Sequence, residues 1–156
     1  MIYTIYADQD LVYDPRLPEY AVIDPVLDLK VNEPGLLSIN IPEANPVSGS
    51  ITKLTSRIKV YRDGHIMFLG RVIKDERQIG HRRKYTAEGC LAFLIDSVCD
   101  PYTFSGTPAQ FFTFLINRHN AAASATQQLA LGTCTITSED EVTLSSELSC
   151  RYHTGA

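Results

Sequence analysis

Apolar and polar residues alternate with a period of two through much of the first hundred residues, a pattern that predicts β-strands. Ile2–Ala7 is a β-branched and aromatic segment closed by Asp8-Gln9-Asp10, with Leu11–Tyr13 as its return strand. Pro15, Pro18 and Pro25 predict an irregular connection over Asp14–Pro25. Leu27, Leu29 and Val31 then share one face, opposite Asp28, Lys30 and Asn32. After Glu33-Pro34-Gly35, the residues Leu37, Ile39 and Ile41 alternate with Ser38 and Asn40. Keeping a single apolar face requires a loop of odd length or a bulge. A Pro34-Gly35-Leu36 loop sets Val31 opposite Ile39 and Leu29 opposite Ile41.

A second hairpin is signalled by Asp63-Gly64, the residue pair that suits a type I′ turn, between Ile58–Arg62 and His65–Leu69. Without a bulge, Val60 meets Met67 and Ile58 meets Leu69, while Tyr61, Ile66 and Phe68 take the other face. Both faces are then apolar, and a covering layer or neighbouring subunit is expected. Val72–Gln78 and Arg82–Glu88 form a third hairpin with its tip near Ile79-Gly80-His81. Leu91–Val98 reads as a helical turn, and Asp100–Gly106 as a boundary. A helix is predicted over about 107–121, capped by Thr107 with Pro108 at its first position and Gln110 completing a capping box. Leu129–Thr137 reads as a strand, and Ser138–Glu141 as an acidic loop. The expected organisation is mainly β with α (α+β), with domains at 1–99 and 100–156. The second domain is a partial α/β unit, unfinished at Ala156.

Composition narrows the function. A net charge of −4 argues against a module that grips nucleic-acid phosphates, although Arg77, Arg82, Arg83 and Lys84 form a local basic cluster. The N-terminus lacks a basic region followed by an apolar run, and no run of about 18 apolar residues suggests a membrane span. Cys90, Cys99, Cys134 and Cys150 are too widely spaced for a zinc motif, and reduced, mostly buried thiols are expected. His65, His81, His119 and His153 fall in a turn, a hairpin tip, a helix end and a tail, where surface roles are expected. Nucleophile-elbow, zinc-protease, phosphate-loop and dinucleotide motifs are absent from the sequence. Asp8 with Asp10 suits a turn, Asp75 and Glu76 point to opposite faces of a strand, and Glu139, Asp140 and Glu141 form an acidic loop. No catalytic, metal-binding or cofactor-binding residue is assigned, and no enzyme activity or cofactor is expected.

The ordered series "VNEPGLLSINIPEANP" (31–46), "LTSRIKVYRDGHIMFLGRVIKDE" (54–76), "KYTAEGCLAFLIDSV" (84–98), "TPAQFFTFLINRHN" (107–120) and "LALGTCTIT" (129–137) covers most of the chain. It resembles the N-terminal region of phage tail-tip hub proteins, the tail-associated lysin or prophage tail endopeptidase family. The resemblance implies a tail-tube-like β-barrel followed by the beginning of an α/β domain. It further implies a trimeric ring in the virion tail tip, made in the bacterial host cytoplasm. Its neighbours would be the distal tail protein ring and the tape-measure protein. In full-length relatives a separate C-terminal module cleaves peptidoglycan, and that module has no counterpart in these residues. Tyr61, Ile66, Phe68, Arg77, Arg82 and Arg83 are the candidate assembly interface. The competing classes are a cell-wall hydrolase fragment and a small carbohydrate- or receptor-binding barrel using Tyr3, Tyr6 and Tyr13.

Overall fold

The computed structural model describes residues 1–133, 135, 138–147, 150 and 151. Two compact units divide the chain, Met1–Cys90 and Leu91–Ala156, so the break falls ahead of Asp100–Gly106. The fold is mainly β with helices. In the first unit, β1 (Tyr3–Ala7), β2 (Asp10–Tyr13), β3 (Ile23–Asp28), β4 (Leu36–Pro42), β5 (Arg57–Arg62), β6 (His65–Gln78) and β7 (Arg82–Gly89) form one antiparallel sheet. Its order is β2-β1-β5-β6-β7-β4-β3, and it curls into a half-barrel with β2 and β3 as edges.

Alternation places Ile5, Ala7, Val12, Leu37, Ile39, Ile41, Ile58 and Val60 on the inner face, where they form the core with Val47 and Ile51 from the β4–β5 connection. That connection is pinned from within by Asn45, which is buried. Its amide donates to the carbonyls of Val12 (2.9 Å) and Ala21 (3.1 Å) and accepts from the Val47 amide (3.1 Å). Every polar group of this buried side chain is therefore occupied, so it stabilises the interior instead of costing desolvation.

Two registers differ from the sequence expectation. In the first hairpin Leu27 faces Leu37 and Asp28 faces Leu36, so the loop is Leu29–Gly35. Its odd length keeps the parity, but Leu29 and Val31 lie in the loop and are exposed. β3 also begins earlier, at Ile23, with Pro25 inside it and a register shift between Ile23 and Val26. An edge strand tolerates a proline because its outward amide has no ladder bond to lose. In the second hairpin the turn is as expected, with Asp63 at φ 49° and Gly64 at φ 81°. A bulge between Val60 and Tyr61, however, sets Val60 opposite Phe68. Phe68 consequently joins the core at 4% exposure, and the outer face keeps only Tyr61, Ile66 and Leu69 as large apolar groups. The two-sided apolar hairpin expected from the sequence is corrected by this one-residue shift. A further shift, between Val72 and Lys74, lies in the β6–β7 ladder.

Phe68 has a specific seat. Gly70 faces Gly89 across the ladder, and a Cβ on Gly70 would lie 2.6 Å from the Phe68 ring and 2.2 Å from the Glu88 carbonyl oxygen. A Cβ on Gly89 would fall 1.7 Å from the Pro34 carbonyl oxygen, which leaves room for no side chain. The aromatic ring covers what the glycines leave open.

A 3-10 turn (Cys90–Ala92) spans the break, and the second unit contains α1 (Phe93–Asp96), β8 (Val98–Cys99), β9 (Tyr102–Gly106), α2 (Pro108–Ala122), β10 (Val142–Ser146) and β11 (Cys150–Arg151). The capping box of α2 is formed as expected: the Thr107 hydroxyl accepts from the Gln110 amide, and the Gln110 side chain accepts from the Thr107 amide. The expected boundary at 100–106 instead holds β9, paired with β10 beyond the acidic loop. Tyr102 and Phe104 of β9 pack against Phe111 and Phe114 of α2 at centroid distances of 5.1–6.0 Å. The strand expected over 129–137 is not formed at residues 129–133. Asn120 holds Leu129 instead, donating to its carbonyl (2.7 Å) and accepting from its amide (2.8 Å). Cys134, Ile136 and Thr137 of that prediction lie outside the described residues, as does His153.

Candidate functional site

The far end of the β6–β7 hairpin gathers the basic residues singled out by the sequence. Its tip, Ile79-Gly80-His81, closes a turn in which Gly80 (φ 90°) and His81 (φ 56°) adopt left-handed conformations. Gln78 faces Arg82 and Arg77 faces Arg83. The β4–β5 connection folds back against this end: the Glu43 amide donates to the His81 carbonyl (2.9 Å), and Glu43 Oε2 lies 2.9 Å from His81 Nδ1. Between them is a groove of about 650 Å³ lined by Arg77, Arg82, Arg83, Asn45, Ser48 and Gly49, among others.

Arg83 is the fixed element of this groove. Its Nη2 donates to Asp75 Oδ2 at 2.7 Å, its Nη1 donates to the Ser48 carbonyl at 3.3 Å, and its guanidinium lies 5.7 Å from the Tyr85 ring centre. The Tyr85 hydroxyl donates to the same Ser48 carbonyl at 2.7 Å, and burial pushes its pKa up. Arg83 Nε and Asp75 Oδ1 are buried without a hydrogen-bond partner. Across the ladder Arg77 is exposed, and neither it nor Arg82 makes an ion pair among the described residues. A guanidinium stays charged at any physiological pH and offers five donors in a fixed fork. The arrangement can therefore grip an oxyanion.

Of the six candidate interface residues, Arg77, Arg82 and Arg83 are brought together here. Tyr61 and Ile66 are partners near the other end of β6, where Tyr61 packs edge-on against Tyr6 at 5.7 Å. Phe68 is inside the core, away from any surface. Sequence reasoning missed Glu43, Asn45 and Ser48, because their roles depend on the β4–β5 connection reaching the hairpin; it placed Asp75 on a strand without its partner Arg83, which the β6–β7 register supplies. The one available signal was the "ANP" stretch, in which a loop asparagine precedes a proline.

His119 corrects a further expectation, being buried at 1% exposure. Its Nδ1 meets the Ser97 hydroxyl, and its Nε2 lies 3.1 Å from the Gln127 carbonyl, which makes the imidazole a clasp between α2 and its flanking segments. Cys99 is buried, as expected for a packed thiol. Burial raises the pKa of the half-buried Cys90 thiol, against the opposing pull of Arg57. Among the described residues no group of three or more metal-ligating side chains is found, and no helix is long and apolar enough to cross a membrane. No protein-family model and no curated protein matches the chain.

Proposed function

We propose that the chain is a structural subunit of a phage or prophage tail tip, a baseplate-hub component whose copies form a ring between the distal tail and host-facing modules. The observation that carries this reading is the open half-barrel. Its edges β2 and β3 have no further strand partner among the described residues. Tyr13 of β2 and Pro25 and Leu27 of β3 line, with Tyr3, Leu29 and Met67, a largely apolar groove of about 530 Å³. An unpaired edge beside apolar surface is a template for association with another chain. The ordered motif series described above supplies the tail-tip context. In this reading the half-barrel is the tail-tube-like domain, completed within a trimer that contacts the distal tail ring and the tape-measure protein.

Sedimentation and light scattering test the reading. A trimer is expected, and a chain that remains monomeric up to high concentration overturns it. Clearing of bacterial cell walls by the chain, lost on Asp75→Asn or Glu76→Gln, would instead establish the hydrolase class.

A further inference from the structure

The groove at the hairpin tip is positively lined in a chain whose net charge is −4. Glu43 is the single acidic residue among its described lining residues, and His81 already occupies it at 2.9 Å. Arg83 is locked by Asp75 and Ser48, while Arg77 stands directly opposite it with no ion-pair partner among the described residues. Like charges facing each other across an antiparallel pair are destabilising. Arg82 also lines the groove, and Gly49 borders open space where a side chain would meet nothing within 4 Å. The site is thus a groove lined by three arginines, one of them fixed, with room in front of it and a repulsion between Arg77 and Arg83 that a bound anion would relieve.

We propose that this groove is a binding site for a phosphoryl group, a tetrahedral dianion held between Arg77 and Arg83 in the groove that Arg82 also lines. Guanidinium forks suit such oxygens because each presents parallel donors at the spacing of two terminal oxygens. Three guanidiniums match three terminal oxygens, where a single carboxylate presents two. The inference does not rest on the tail-tip reading, since a monomer and a ring carry the same groove.

The test titrates the full chain with inorganic phosphate at constant ionic strength, following melting temperature and the amide resonances of Gly49 and Gly80. A saturable shift is expected, weakened about tenfold or more in Arg77→Gln and unchanged in Arg62→Gln, which lies at the opposite end of β6's ladder. Without phosphate, Arg77→Gln should melt about 1–3 °C higher than the parent, because it removes the facing like charge. A structural role for Arg77 predicts the reverse. The inference is overturned if chloride or succinate reproduces the shift, if phosphate gives no saturation, or if Arg77→Gln lowers the melting temperature.

Discussion

The two ends of the β6–β7 ladder are built on opposite principles. At one end Gly70 faces Gly89 beneath the Phe68 ring, and the strands close by removing every side-chain atom that would intrude. At the other end Arg77 faces Arg83, and the strands carry large side chains whose charges repel. The same hydrogen-bonded ribbon is therefore tightly closed at the end over the core and carries unbalanced charge at the other. Groups arranged for binding are commonly imperfectly satisfied in the free protein.

Truncating the aromatic end should have the largest effect. Phe68→Ala is expected to destabilise the protein by about 3–5 kcal/mol, read as a lower denaturation midpoint. A loss below about 1 kcal/mol would mean that the ring does not seal the glycine crossing. At the charged end, Asp75→Asn should cost only about 1 kcal/mol, since Asp75 and Arg83 remain 20% and 26% exposed and solvent screens the pair. Combining it with Arg77→Gln should recover part of that loss, and a double-mutant cycle showing no coupling would remove the conflict between the two arginines.

A smaller effect lies outside the ladder, at Asp14. Hydrogen bonds from the Arg16 side chain and then the Arg16 amide hold its pKa at about 2, below the usual 3.8. A carboxylate with a depressed folded-state pKa stabilises the fold at pH values above 3.8, and that contribution disappears as pH falls through about 2. Asp14→Asn should flatten the denaturation midpoint over that window while leaving both ends of the ladder unchanged. An unaltered acid profile would show that the Arg16 contact does not persist in solution.

Features set by local chemistry were legible in the sequence. Asp63-Gly64, the tip at Ile79–His81 and the Thr107–Gln110 capping box each depend on a few adjacent residues, and each is formed. The inward set Leu37, Ile39 and Ile41 was readable because alternation alone assigns it. What was not legible depends on distant partners. The bulge between Val60 and Tyr61 turns Phe68 inward onto Gly70 and Gly89, and although Gly70 is only two residues away, its partner Gly89 is set by the ladder and not by adjacent sequence. The prolines predict an irregular chain as far as Pro25, yet β3 starts at Ile23 and contains that residue, because a proline disrupts a strand with two neighbours and β3 has one. Likewise, the arginine cluster was visible as charge. Its division into a locked Arg83 and an unpaired Arg77 required the register and the returning β4–β5 connection.

The glycine crossing also constrains how the chain can change over generations. Gly89 donates its amide to the Gly35 carbonyl at 3.1 Å and lies against the Pro34 carbonyl. The loop after β3 and the last residue of β7 are thus fitted to one another, main chain against main chain. No single codon change at Gly89 can be accommodated while that loop keeps its path, so drift at this point demands simultaneous substitutions more than fifty positions apart. A lineage carrying this fold would then alter its hairpin tip far more freely than its crossing.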